Sequence, residues 1–192
     1  VVSDALLSHN SATGKEQWAY RGGAVMNSTI TIAEDIIYFV ESRNSEVAKS
    51  TTSRIAPAKL TSQYLVALNR VSGEKLWERP VNFSKCENML YLIHAEGTLV
   101  ASGSDRNKKY HIYAYDVSSP ALRFGTEKPE IPELWRKNAT GSENDRKRYK
   151  HHGGHLQHPL VVRQTLYSDW RAFDLRSGKL LPIKVPGRRG CG

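Results

Sequence analysis

ALNRVSGEKLW, at residues 67–77, is a phrase that the chain repeats in altered form. An earlier copy is SHNSATGKEQW at 8–18, and a later copy is AFDLRSGKLL at 172–181. Between them, AYDVSS at 114–119 begins the phrase, and Leu134-Trp135 completes it after an insertion. The shared Asn or Asp recurs at intervals of 59, 47 and 58 residues. Self-similarity at a long period predicts a repeat architecture.

Each repeat unit has room for four short strands. Strand-like pairs precede three of the phrases, at 24–32 and 36–40, at 88–94 and 98–102, and at 160–163 and 165–168. The phrase itself supplies strands three and four, joined by a tight Ser-Gly or Thr-Gly turn. No window has the 3.6-residue apolar period of a helix. The sequence therefore predicts an all-β fold, a β-propeller built from four-stranded antiparallel blades.

The blades form a partial ring within a single propeller domain that covers residues 1–192. The first, at about 5–21, contributes only strands three and four, and the others lie at about 24–83, 88–138 and 156–186. Because a propeller ring normally needs at least four blades, we expect the chain to be a fragment. The remaining blades of the parent chain would then be its partners, in a number that the sequence leaves open.

The phrase Ala-x-Asp/Asn-x-x-Ser/Thr-Gly-x-x-x-Trp resembles the tryptophan-docking motif of quinoprotein-like propellers, the PQQ-like repeat family. In that family the indole packs between neighbouring blades, and Gly forms the turn between the two outer strands. The resemblance implies such structural, blade-docking roles for Trp18, Trp77, Trp135, Gly14, Gly73 and Gly178. Pro182 replaces the Trp of the fourth copy. The resemblance also implies a bacterial protein that is periplasmic or secreted.

A quinone cofactor is not supported by the residues present. The dehydrogenases of the family hold PQQ with a calcium site and an Asp base, and many also have an adjacent pair of cysteines. This chain has two cysteines, Cys86 and Cys191, which are far apart in sequence. Its acidic residues have no recognisable calcium-binding spacing. The sequence leaves open whether the two cysteines form a disulfide.

A histidine-rich segment is the strongest candidate for chemistry. Four of the seven histidines lie in HHGGHLQH at 151–158. In a propeller, the connections between blades and the loops between strands two and three share one face at the mouth of the central channel. Imidazole suits zinc or copper, so we consider a divalent metal or ligand site formed by His151, His152, His155 and His158. The alternative is a set of polar loop histidines. Both cysteines also fall in connections between blades.

The chain has a net charge of +9, and its largest cluster of basic residues lies at 136–152. A solvated loop explains this cluster, because no nucleic-acid-binding motif accompanies it. Binding of an anionic polymer is the alternative. No apolar run approaches the ~20 residues of a transmembrane helix, and no Gly-x-Ser-x-Gly motif indicates a hydrolase.

The sequence therefore favours a binding or scaffolding module. Its ligand, a protein or a small molecule, would bind at the channel-mouth face. The alternative is part of a quinone- or metal-dependent oxidoreductase. We assign no catalytic residue, and a non-enzymatic role is favoured.

Overall fold

The computed structural model describes residues 2–48, 61–107, 109–123, 130–140, 158–168 and 171–183. Its strands form antiparallel sheets that follow one another along the chain. The first sheet contains two strands, β2 (Leu6–His9) and β3 (Glu16–Tyr20). The short strand β1 (Val2–Ser3) precedes them but pairs with the second sheet. The first sheet thus has the two strands that the sequence indicates.

The second sheet is built on β6 (Ile36–Ser42), β7 (Gln63–Asn69) and β8 (Lys75–Val81). Two short strands, β4 (Ala24–Met26) and β5 (Thr31–Ala33), both pair with β6 and together occupy the place of strand one. A single helical turn, α1 (Ser45–Ala48), lies in the connection between β6 and β7.

Strand one of the second sheet is not continuous, although the sequence predicts a strand over 24–32. A 3-10 turn at Asn27–Thr29 divides it. The buried Thr29 hydroxyl accepts a hydrogen bond from the Val40 N–H (2.9 Å) and donates one to the Met26 carbonyl (2.7 Å). A side chain therefore replaces the lost ladder partner, which is why alternating residue types did not reveal the break.

The third sheet has four strands in sequential order: β9 (Met89–Ala95), β10 (Thr98–Ser104), β11 (Tyr110–Asp116) and β12 (Glu133–Thr140). A 3-10 turn at Pro120–Arg123 lies in the connection between β11 and β12. The fourth sheet contains β13 (Leu160–Val162), β14 (Thr165–Ser168) and β15 (Arg171–Asp174). An isolated bridge between Phe173 and Leu180 stands where its fourth strand was expected.

This succession of antiparallel sheets confirms the all-β, partial-ring propeller that the sequence predicts. We call the end of the sheets that carries the connections between sheets, and the loops between strands two and three, the top face. The bottom face carries the turns between strands one and two and between strands three and four. The 3-10 turn at Pro120–Arg123 is therefore on the bottom face, and α1 is on the top face.

Three hydrophobic clusters fill the seams between successive sheets. In the first seam, Phe39 and Leu68 of the second sheet pack with Trp18 of the first. The second and third seams hold similar clusters between sheets two and three and between sheets three and four. All seven residues of β6 are buried because its two faces contribute to different seams. The sheets thus stack face to face, as propeller blades do.

Candidate ligand site on the top face

The repeated phrase folds as a side-chain-capped turn on the bottom face. The Asn69 side-chain oxygen accepts hydrogen bonds from the backbone N–H groups of Val71 (2.9 Å) and Ser72 (3.0 Å). The Gly73 N–H donates to the Asn69 carbonyl (2.9 Å), and Gly73 has a φ of 74°. Asn10 caps the turn of the first sheet in the same way. The recurring Asn or Asp is thus selected for turn formation.

Two tryptophans of the phrase dock on the turn of the next sheet. The Trp18 indole N–H donates to the Arg70 carbonyl (3.1 Å) across the first seam. The Trp135 indole donates to the Leu175 carbonyl (2.9 Å) across the third seam. A Cβ added to Gly73 would lie 2.5 Å from the Trp18 ring, and one on Gly178 would lie 2.5 Å from the Trp135 ring. The structure therefore brings together Trp18 with Gly73, and Trp135 with Gly178.

Trp77 lies in the second seam without this arrangement. Its side chain is only 3% exposed, and its indole N–H has no hydrogen-bond partner among the described residues. The third copy of the phrase lacks the Ser/Thr-Gly turn after Asp116, and the chain runs into the insertion instead. Trp77 packs near Tyr38, with ring centroids 5.8 Å apart. The insertion after Asp116 thus replaces the turn on which Trp77 would dock, and the motif alone does not reveal this.

Of the four candidate metal ligands, the structure describes His158. It is exposed, and its ring centroid lies 4.8 Å from that of Tyr91 in strand one of the third sheet. Its Nδ1–H donates to the Pro159 carbonyl (2.9 Å). The other three histidines of the segment, His151, His152 and His155, lie outside the described residues. Cys191 also lies outside them. The histidine metal site therefore stays a prediction.

Cys86 is fully buried with a free thiol. Burial, with a smaller contribution from the Asp105 charge, raises the pKa of this thiol to about 12. A thiol that stays protonated is a poor metal ligand or nucleophile.

The ring of the buried His111 lies between the Asp105 carboxylate (3.2 Å) and the Asn138 side-chain oxygen (3.3 Å). Within the described part of the chain, no three His, Cys, Asp or Glu side chains are placed to hold a metal.

A pocket of about 660 Å³ opens on the top face. Three segments line it: residues 2–4 before β2, residues 21–24 between the first two sheets, and residues 42–45 with Val47 after β6. The sequence predicted that connections between sheets and loops after strand two share one face. It did not indicate this pocket, because the pairing of β1 with β4 that closes one side of it involves only two residues.

Arg43 forms a fixed wall of the pocket. Its Nε donates to Glu41 (2.7 Å), and its two terminal nitrogens donate to the Glu78 carboxylate (2.9 and 2.6 Å). Its guanidinium also lies 4.0 Å from the centre of the Tyr64 ring. Glu41 is 0% exposed, so the Arg43–Glu41 ion pair is anchored in the protein interior. Arg21 and Asp4 add exposed charges to the pocket lining.

The Arg43–Glu78 ion pair predicts a loss of stability in acid. Hydrogen bonds from Arg43 lower the pKa of Glu78 from 4.5 to about 2. A lowered carboxyl pKa stabilises the fold above the unfolded value, and this contribution is lost as pH falls from about 4.5 to 2. With solvent screening, we expect it to be worth ~1–2 kcal/mol at pH 7. Chemical denaturation at several pH values measures it.

Glu78→Gln should remove that part of the pH dependence. Glu16→Gln, which changes an exposed carboxylate on β3, is the matched control and should leave the acid profile unchanged. Identical profiles for Glu78→Gln and the parent protein would contradict the assignment.

None of the described helices is long and apolar enough to cross a membrane. No family model and no curated protein matches the sequence. Solved structures do match. A europium-containing methanol dehydrogenase is similar with a TM-score of 0.54 and 12% identity, over 94% of this chain and 38% of that one.

A rhamnogalacturonan lyase from Bacillus licheniformis is similar with a TM-score of 0.54 and 14% identity, over 92% of this chain and 35% of that one. BamB from Moraxella catarrhalis has a TM-score of 0.49 and 15% identity, over 93% and 42%. The chain thus spans about two fifths of the length of these structures or less. At such identities the similarity to the two structures with a TM-score of 0.54 concerns the fold alone, and it confirms the β-propeller architecture.

Proposed function

We propose that this chain is a β-propeller module that binds a polar ligand in the pocket on its top face. The observation that carries the proposal is the convergence of three separate segments on one opening of about 660 Å³. Volumes of roughly 300–1,000 Å³ are typical of sites that hold small molecules. The ligand is either a small molecule or a short segment of a partner protein.

The chemistry of the lining supports a polar ligand. Gly22 and Gly23 lie in the lining, and the exposed side chains of Asp4, Arg21 and Ser45 supply charged and polar groups. Arg43 is held in one orientation by its two carboxylate partners, so little side-chain entropy would be lost on binding. A wall that is already ordered favours recognition of a defined ligand.

The alternative, a quinone- or metal-dependent oxidoreductase, gains no support from the methanol dehydrogenase, because that similarity concerns the fold. A divalent metal bound by the histidine segment would be compatible with either function.

Filling the pocket provides the test. Ser45 is an exposed lining residue, so Ser45→Trp should obstruct the opening without disturbing the core. Ser11→Trp makes the same change in an exposed turn on the bottom face and is the matched control. Ligands from a cell extract are captured on each protein and identified by mass spectrometry, for small molecules and for proteins separately.

We expect Ser45→Trp to lose at least tenfold of the captured ligand, and Ser11→Trp to keep it. Retention of every ligand by Ser45→Trp would contradict the proposal. Thermal unfolding of both variants checks that the change in capture does not arise from misfolding.

A further inference from the structure

A second, smaller cavity of about 200 Å³ lies on the bottom face, in the second seam. Glu34 and Tyr38 line it from the second sheet, and His94, Glu96 and Arg123 line it from the third. The cavity is therefore separated from the top-face pocket by the length of the blades. It is distinct from the site of the proposed function.

The cavity lies where the docking motif departs from its usual form. In the first seam, the turn after Asn69 receives the Trp18 indole at the Arg70 carbonyl. The corresponding residue of the third sheet is Val117, which lines the cavity together with Ser118. Trp77 makes no such bond, and its buried N–H has no partner within the described residues. The second seam is thus less completely filled than a regular copy of the motif would make it.

One wall of the cavity is aromatic and uncharged. The His94 ring stacks on Tyr38, with centroids 5.7 Å apart and planes inclined by 12°. Burial lowers the pKa of His94, with an opposing effect of Glu34. Burial also raises the pKa of Tyr38 to about 12. Both rings are therefore neutral at pH 7 and present π-systems, which attract cations.

The mouth of the cavity already contains a guanidinium group. The Arg123 guanidinium lies 2.6 Å from a Glu34 carboxylate oxygen. Arg123, Tyr38 and His94 line the same cavity. Arg123 is 53% exposed and Glu34 is 64% exposed, so the ion pair is weakly held. Glu96 adds a second carboxylate to the lining.

We propose that this cavity is a binding site for guanidinium groups and that Arg123 is an internal ligand that competes for it. The incoming group would pair with Glu34, as guanidinium pairs with carboxylates, and would lie against the Tyr38 and His94 wall. Arg123 belongs to the connection between β11 and β12, so its displacement requires no change in the sheets. A partner's arginine side chain and a free guanidino compound share this chemistry.

Removal of the internal ligand tests the proposal. Arg123→Ala is titrated with methylguanidinium and, separately, with the tripeptide Gly-Arg-Gly. The readout is the indole N–H signal of Trp77 in an NMR spectrum, assigned with Trp77→Phe. Arg123→Gln keeps part of the side chain without its charge and guards against a packing defect. Arg70→Ala removes another exposed bottom-face arginine, one that pairs with Asp35 at 3.5 Å, and is the matched control.

We expect both Arg123 variants to bind at least one probe about two- to sixfold more tightly than the parent protein and Arg70→Ala, because an exposed ion pair worth up to about 1 kcal/mol competes by no more than that factor. Adding Glu34→Gln to Arg123→Ala should abolish this gain. Binding of both probes supports a free guanidino ligand, and binding of the tripeptide alone supports an arginine of a partner. The proposal is overturned if the Arg123 variants bind no more tightly than the parent, or if Glu34→Gln leaves the gain intact.

Discussion

Trp135→Ala is expected to lower the free energy of unfolding by about 3–5 kcal/mol, the usual cost of truncating a buried aromatic side chain. Trp135 is 9% exposed and stacks near Phe173 in the third seam, with centroids 6.3 Å apart. Truncation would also leave the Leu175 carbonyl without its indole donor. Denaturant unfolding followed by far-ultraviolet circular dichroism measures the change.

The contribution of the hydrogen bond can be separated by comparing two conservative variants. Trp135→Phe retains an aromatic ring but removes the donor to Leu175. Trp77→Phe makes the same substitution where the indole N–H has no partner among the described residues. We expect Trp135→Phe to be more destabilising by about 1–2 kcal/mol, the cost of an unpaired buried polar group. Equal losses would show that the docking bond contributes little.

The repeated phrase predicts the frame of the molecule because its residue types have local causes. Asn69 and Asp174 cap a turn with their own side chains, and Gly at positive φ completes it. The large indole then fills the space against the next turn. These interactions depend on a few residues at fixed spacing, so the sequence reveals the fold and the seams.

The candidate sites depend on contacts that have no such spacing. Arg43 reaches Glu78 across 35 residues, and Glu34 reaches Arg123 across an even longer separation. The break in strand one arises because the Thr29 side chain replaces a backbone partner, which no alternation of polar and apolar residues encodes. Topology indicated which face the loops occupy, but the pocket also depends on the pairing of β1 with β4, which involves only two residues of each strand.

The docking turns also predict a large difference between chemically identical substitutions at three glycines. Gly14, Gly73 and Gly178 have similar φ values of 70°, 74° and 67°. An alanine at any of them pays about 1–2 kcal/mol for the left-handed conformation. A Cβ at Gly14 meets no described atom within 4 Å, whereas at Gly73 and Gly178 it lies 2.5 Å from an indole ring.

We therefore expect Gly14→Ala to cost about 1–2 kcal/mol, and Gly73→Ala and Gly178→Ala to cost about 1–3 kcal/mol more, from overpacking. Denaturant unfolding of the three variants, measured side by side, checks the order. Gly14→Ala is the built-in control, because it changes the backbone preference without touching a tryptophan. Three equal losses would mean that the indoles move aside freely.

A double substitution identifies the indole as the cause of the difference. In Gly73→Ala combined with Trp18→Ala, the added methyl group no longer meets the Trp18 ring. The double variant should therefore lose less free energy of unfolding than the sum of the losses of the two single variants. Because the clash alone accounts for about 1–3 kcal/mol, the non-additivity should have the same size. Gly14→Ala combined with Trp18→Ala should be additive, since the described residues place no atom of Trp18 within 4 Å of a Cβ at Gly14. Additivity in both pairs would place the cost of Gly73→Ala in the turn itself and not in the seam.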